Sequence, residues 1–267
     1  GNLTLEQVSI GREPILDLLT EAGVRDLSVG RIQTLPTWSQ VVELYGDETI
    51  VLGGDRCEDY RRKTPPSEAY VGVAGLFNTG TNLLEYHLRV NLRHPANKYH
   101  SRWQTPWGKH RMASAKWNNT VDSSITDNKD YVLPIVIVRD PLHFMQSMCK
   151  HPYATTWRHG DHHCPNLVPS DSDQERFKNL KETFTATIKF DKTSQVHFDS
   201  LAELWSGWYN EYLATDYPIL IVRFEDLVFR PVSVMEKVAE CMGGVVNQPF
   251  NYKLETSKSH GSGTDFV

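Results

Sequence analysis

Three short segments carry groups suited to gripping anions. Gly75-Leu76-Phe77-Asn78-Thr79-Gly80-Thr81-Asn82 is a glycine-bounded turn between the apolar run Tyr70-Val71-Gly72-Val73-Ala74 and the helix-like Leu83-Leu84-Glu85-Tyr86-His87-Leu88. A strand feeding such a turn and then a helix aims backbone N–H groups and the positive end of the helix dipole at one point, which suits a phosphate. The glycine spacing is that of a nucleotide-binding P-loop, but Thr81-Asn82 stands where an ATP- or GTP-binding loop carries Lys followed by Ser or Thr. That argues against an ordinary NTPase. In the second segment, Val138-Arg139-Asp140-Pro141, a helix starting at Pro141 puts Ser147 about two turns in and leaves Arg139 at a strand tip. Together they can hold a second phosphate; the plainer reading is an Arg139–Asp140 pair with Ser147 in solvent. The third segment is Val222-Arg223-Phe224-Glu225-Asp226-Leu227, followed by Arg230-Pro231 and an apolar-periodic helix.

These segments need a scaffold that brings them together. Residues 70–74, 132–138 and 219–224 are short, Val/Ile-rich runs of the kind that form buried parallel strands, with 49–52 as a fourth. Helical periodicity is clearest at 200–214, through Leu201, Leu204, Trp205, Trp208 and Leu213, and at 234–242. Alternating strands and helices predict an α/β fold of three layers, a parallel sheet covered on both faces. Ligands bind such sheets at the carboxyl ends of the strands, so the segments after Ala74, Val138 and Phe224 are expected to share one crevice. Residues 1–65 have a different texture and read as an irregular N-terminal extension packed on a single core domain, 66–267. Residues 59–66 read as a polar connector, and 151–172 as a long loop beside the crevice.

At 267 residues the chain is long enough for a substantial core. A net charge of −5 provides no broad basic field for nucleic acid, so anion recognition must be local. No run reaches the roughly 18 apolar residues of a membrane span. Cys57, Cys149, Cys164 and Cys241 permit two disulfides yet also suit a reducing cytoplasm, whereas the sequons Asn2-Leu3-Thr4 and Asn118-Asn119-Thr120 tilt towards a secretory route such as the Golgi lumen.

A Gly-x-x-x-x-Gly-Thr loop, an Arg-Asp-Pro with Ser eight residues beyond the Arg, and a late Arg-Phe-Glu-Asp-Leu before a helix occur in this order from about residue 70 to 244. The chain therefore resembles the superfamily of sulfotransferases that use 3′-phosphoadenosine 5′-phosphosulfate (PAPS) on a P-loop type fold. The resemblance implies that the backbone of Asn78, Thr79, Gly80, Thr81 and Asn82 holds the 5′-phosphosulfate, that Arg139 and Ser147 hold the 3′-phosphate, and that adenosine 3′,5′-bisphosphate is the product. It also likens Lys258-Ser259-His260-Gly261 to the family's basic, Gly-containing closing loop; a flexible tail is the other reading.

One departure concerns the chemistry. Many family members place Lys or Arg where this chain has Asn78, to neutralise charge on the bridging oxygen as the sulfuryl group leaves. An amide donates a hydrogen bond but no charge. The general base expected of the family is sought in residues 99–110, which hold His100 and His110. His110 is preferred because adjacent Lys109 supplies the cation that Asn78 lacks. The ligand types His151, His159, Asp161, His162, His163 and Cys164 suit zinc, but no pair has a familiar finger spacing, and a Cys149–Cys164 disulfide competes for one member, so no metal is expected. Trp103, Trp107, Trp117 and Trp157 in loops suit adenine or a glycan acceptor as well as packing, whereas Trp205 and Trp208 read as helix core. The resulting expectation is sulfuryl transfer from PAPS to an acceptor hydroxyl, a carbohydrate among the candidates. Its rivals are a catalytically silent nucleotide- or glycan-binding module and a P-loop nucleotide kinase or NTPase.

Overall fold

The computed structural model describes residues 4–118, 120, 128–157, 164–177, 180–190 and 195–254. Its N-terminal part is helical: α1 (Leu5–Ser9), α2 (Glu13–Glu21), α3 (Val29–Thr34) and α4 (Trp38–Tyr45) precede β1 (Val51–Leu52) and α5 (Cys57–Lys63). Thr4, Ser28 and Thr37 cap α1, α3 and α4 by accepting backbone N–H bonds, so much of the expected irregular extension is a set of short capped helices. The supposed connector at 59–66 is mostly α5. Its charges misled: Arg61, Arg62 and Lys63 face solvent while Cys57 and Tyr60, one turn apart, turn inward, and the Tyr60 hydroxyl donates to the Tyr70 and Tyr131 carbonyls.

Beyond it run β2 (Tyr70–Ala74), α6 (Thr81–Asn91), β3 (Leu92–Arg93), β4 (Ser101–Arg102), α7 (Ala115–Asn118), β5 (Val132–Val138) and α8 (Pro141–Lys150). Then follow β6 (Thr155–Trp157), α9 (Asp171–Arg176), β7 (Ala186–Lys189), β8 (Gln195–Phe198), α10 (Leu201–Leu213), β9 (Leu220–Arg223), α11 (Phe224–Phe229), α12 (Pro231–Met242) and β10 (Val245–Val246).

The main sheet has five strands in the order β1-β9-β5-β2-β4. Strands β9, β5, β2 and β4 run parallel, but β1 pairs antiparallel with β9, so the sheet is mixed and not parallel throughout. Two residues at a sheet edge, paired with a strand some 170 positions later, carry no local sign of direction. Alternate residues of the central strands divide between two hydrophobic clusters. Val71, Val73, Ile135 and Val222 join Tyr60, Leu84, Leu88 and Val238; Ala74, Val136 and Ile221 join Phe144, Met148, Leu204 and Trp208. A second difference lies after α8, where β6, β7 and β8 form a three-stranded antiparallel sheet within and beyond the expected loop.

Disulfides join Cys57 to Cys241, tying α5 to α12, and Cys149 to Cys164, closing the segment after α8. Among the described residues no helix is long and apolar enough to cross a membrane.

Candidate functional site

The loop after β2 owes its shape to close packing. Gly80 is the N-cap of α6 at φ 90°, and a Cβ there would lie 2.4 Å from Phe224 Cδ2; a Cβ on Gly75 would lie 2.8 Å from Ile137 Cγ2. No side chain caps α6, and its first backbone bond runs from Leu84 N–H to the Gly80 carbonyl, so the earlier N–H groups lie outside the intrahelical ladder. Asn78 also has positive φ, 61°, a conformation that Asn tolerates better than most residues. Its amide turns away from the helix end, donating to the His151 carbonyl at 2.8 Å and to Met148 Sδ at 3.1 Å. Buried Thr79 donates its hydroxyl to the Leu76 carbonyl at 2.7 Å. These two side chains hold the loop itself together.

Arg139 directly follows β5, and α8 begins at Pro141 with Asp140 as its cap. The Arg139 Nη1 donates to the Asn78 carbonyl at 3.0 Å and to Ser147 Oγ at 3.1 Å, so the loop, the strand tip and α8 meet in one guanidinium. Its buried Nε has no hydrogen-bond partner. The guanidinium carbon sits 4.7 Å over the Phe224 ring. Burial lowers the Arg139 pKa from its ordinary value, opposed by Glu225, Asp140 and Tyr45. In the third segment, buried Asp226 accepts from Arg223, Arg230 and the Ile50 N–H, locking β9, α11 and the approach to β1 together. Phe224 is thereby pressed against Gly80 and Arg139, while Glu225 accepts the Asp140 N–H at 3.1 Å.

Lys109 and His110 come alongside the loop, because the Gly75 N–H donates to the Lys109 carbonyl at 2.9 Å. The Lys109 ammonium is buried, donates to Asn82 Oδ1 at 2.9 Å and lies 3.6 Å from the Trp103 ring centroid. Burial pulls its pKa from 10.5 to about 8, opposed by Glu85. His110 places Nδ1 2.7 Å from the Gly75 carbonyl, and its ring packs 4.2 Å from Phe77. Burial lowers its pKa to about 4, so the ring is neutral with the proton on Nδ1 and the lone pair on Nε2. His100, the other candidate base, is not brought to this cluster. It precedes β4, and its carbonyl accepts the Val71 N–H at the amino-terminal end of β2, roughly four strand residues or ~13 Å from the loop. Burial lowers its pKa too.

Sequence periodicity assigned Trp205 and Trp208 to core and missed their polar ends, and it did not single out Tyr209 and Tyr212 on the same helix. Trp205 Nε1 donates to the Arg139 carbonyl, Trp208 Nε1 to His110, the Tyr209 hydroxyl to Ile137 and the Tyr212 hydroxyl to Arg111. Four donor-bearing aromatics at i, i+3, i+4 and i+7 on one helix were the available signal. Of the loop tryptophans, Trp107 is fully buried, whereas Trp103 and Trp117 are exposed. Lys258 and Gly261 lie outside the described residues, as do His159, Asp161, His162 and His163; Cys164 is in a disulfide.

Two concavities, about 290 Å³ beside Val232, Phe250 and Tyr252 and about 170 Å³ beside Gly53, Arg56 and Ile219, lie on other parts of the chain. Neither is lined by residues of the loop. Comparison with family models, with curated proteins and with solved structures finds no match for this chain.

Proposed function

We propose that the chain is a three-layer, P-loop type sulfotransferase that moves a sulfuryl group from PAPS to an acceptor hydroxyl. The observation carrying this reading is Arg139, whose guanidinium bridges the Asn78 carbonyl and Ser147 Oγ and keeps a buried, unpartnered Nε beside an uncapped helix end. An uncapped helix end and a guanidinium held against the same loop suit a ligand with anionic groups at two places, as the 5′-phosphosulfate and 3′-phosphate of PAPS provide. The glycine cradle supports the same fit, since a Cβ on Gly80 would meet Phe224 and shift the loop backbone.

The chain's own residues divide the work. Backbone N–H groups from residue 78 to 82 bind the phosphosulfate, and Arg139 with Ser147 binds the 3′-phosphate. Lys109, and not Asn78, faces the start of α6 with a charge, and it neutralises the oxygen left on the nucleotide as the S–O bond breaks. His110 Nε2 accepts the acceptor's proton as its oxygen bonds to sulfur, giving a sulfate ester and adenosine 3′,5′-bisphosphate. Two disulfides and the exposed Asn118 of a sequon support an oxidising, secretory location such as the Golgi lumen.

A silent binding module is the second reading, favoured by the Asn78 amide being committed to Met148 and His151. A thermal-shift comparison tests the donor assignment. Adenosine 3′,5′-bisphosphate at about 100 times its Kd should add about 2.7 kcal/mol, or some 5–10 °C, with ATP–Mg²⁺ giving much less. Stabilisation by ATP–Mg²⁺ alone would replace this reading with an NTPase or kinase.

A further inference from the structure

Rings lie on two sides of the proposed reaction centre, Trp103 against Lys109 and the stacked Phe77 and Tyr153 against His110. Trp103 underlies the Lys109 ammonium at 3.6 Å, His110 follows Lys109 in the chain, Phe77 packs 4.2 Å from His110, and Tyr153 stacks on Phe77 at 5.4 Å with only 12° between planes. Trp103 and Tyr153 are both open to solvent, 56% and 47% exposed. Tyr153 also has a φ of 51°, which is costly for a bulky side chain and is held by its surroundings. It lies just after α8, four residues past disulfide-bonded Cys149, and the Thr155 N–H donates back across it to the Pro152 carbonyl at 2.9 Å as β6 begins. Among the described residues its ring contacts are with Phe77 and His151 at the loop.

We infer that Trp103, Phe77 and Tyr153 form an open aromatic platform that seats the acceptor as a sugar ring within an oligosaccharide, with Tyr153 and Trp103 setting acceptor affinity. The inference rests on the sulfotransferase reading for the identity of the site and adds the acceptor class to it. A small phenol is best bound by an enclosed apolar pocket that covers most of its surface. Two exposed faces flanking His110 instead suit an extended ligand whose C–H faces lie on rings and whose hydroxyls stay in water until one reaches Nε2.

The test uses the full chain on a printed array of neutral and uronate-containing oligosaccharides, without nucleotide and again with saturating adenosine 3′,5′-bisphosphate. Each protein's thermal shift with the nucleotide alone is read in parallel, and 4-nitrophenol serves as competitor. Expected are saccharide binding by the wild type, at least about tenfold weaker binding by Tyr153→Ala and by Trp103→Ala, near-normal binding by Tyr153→Phe, and the wild-type nucleotide shift in both Tyr153 variants. No saccharide binding by the wild type, binding indifferent to both alanine variants, or displacement by 4-nitrophenol would each overturn the platform while leaving the donor site standing if the nucleotide shift persists. Tyr153-dependent saccharide binding without a nucleotide shift would uphold the platform and sink the donor assignment.

Discussion

Replacing Lys109 with Met should make the protein more stable and far less active. The ammonium is buried, with one carboxamide oxygen and one ring face as its identified contacts. The drop of its pKa from 10.5 to about 8 corresponds to roughly 3 kcal/mol at about 1.4 kcal/mol per pKa unit. The Trp103 face returns about 1 kcal/mol by a cation–π contact, leaving a net cost near 2 kcal/mol for keeping the charge at pH 7. The sign follows from the depressed value: the unfolded chain holds this proton more tightly, so the cost is fully present below pH 8 and fades between pH 8 and 10.5. Urea denaturation should therefore find Lys109→Met about 2 kcal/mol more stable than the wild type at pH 7, with the gap closing by pH 10.5. An anion seated at the start of α6 reverses the balance, so nucleotide binding near pH 8.5 should take up a proton, measurable by calorimetry in buffers of different ionisation enthalpy. Transfer should fall by about a hundredfold or more, the usual effect of losing one charge-stabilising donor. A variant less stable than the wild type at pH 7, with unchanged turnover, would refute the reasoning.

Arg139→Ala removes the guanidinium proposed to hold the 3′-phosphate; two charge-assisted hydrogen bonds to that phosphate, at about 1.5 kcal/mol each, set the expected loss in adenosine 3′,5′-bisphosphate affinity at about a hundredfold by calorimetry. His87 and His110 are both held neutral with pKa values near 4, and burial lowers those of His94 and His100 as well. Unfolded histidine takes a proton below about 6.5, so stability must fall between pH 6.5 and 4; for His87 alone the loss at pH 5 is about 2 kcal/mol, to be read from denaturation midpoints. The Cys57–Cys241 bridge spans 184 positions, for which chain entropy gives about 5 kcal/mol, so the double serine variant should unfold at markedly lower denaturant.

The parts of this protein legible in its sequence are those determined locally. Strands β2, β5 and β9 showed themselves as continuous apolar runs because they are buried on both faces, and α8 announced its start through Asp140-Pro141. The glycine turn was legible because Gly75 and Gly80, five residues apart, mark it, although the Phe224 and Ile137 contacts that require those glycines come from far along the chain. What stayed hidden depends on distant partners. Nothing near Val51 says that it pairs with Val222, and nothing near Asn78 says that its amide is spent on His151. His100 and His110 are chemically alike; only the parallel pairing of β4 with the start of β2 puts one at the wrong end of the sheet and the other beside Gly75. The positions of Trp205 and Trp208 were readable from helical spacing, but the carbonyls that receive their N–H groups were not.

In the proposed reaction the loop from Gly75 to Asn82 holds the sulfuryl donor and the groups around it move the sulfuryl group. Incubation of the full chain with sulfur-labelled PAPS and an acceptor panel of oligosaccharides and phenols tests this directly. Label should appear on an acceptor hydroxyl with equimolar adenosine 3′,5′-bisphosphate and no requirement for Mg²⁺. Tight binding of PAPS with no label transferred to any acceptor would contradict it and leave a silent nucleotide-binding module.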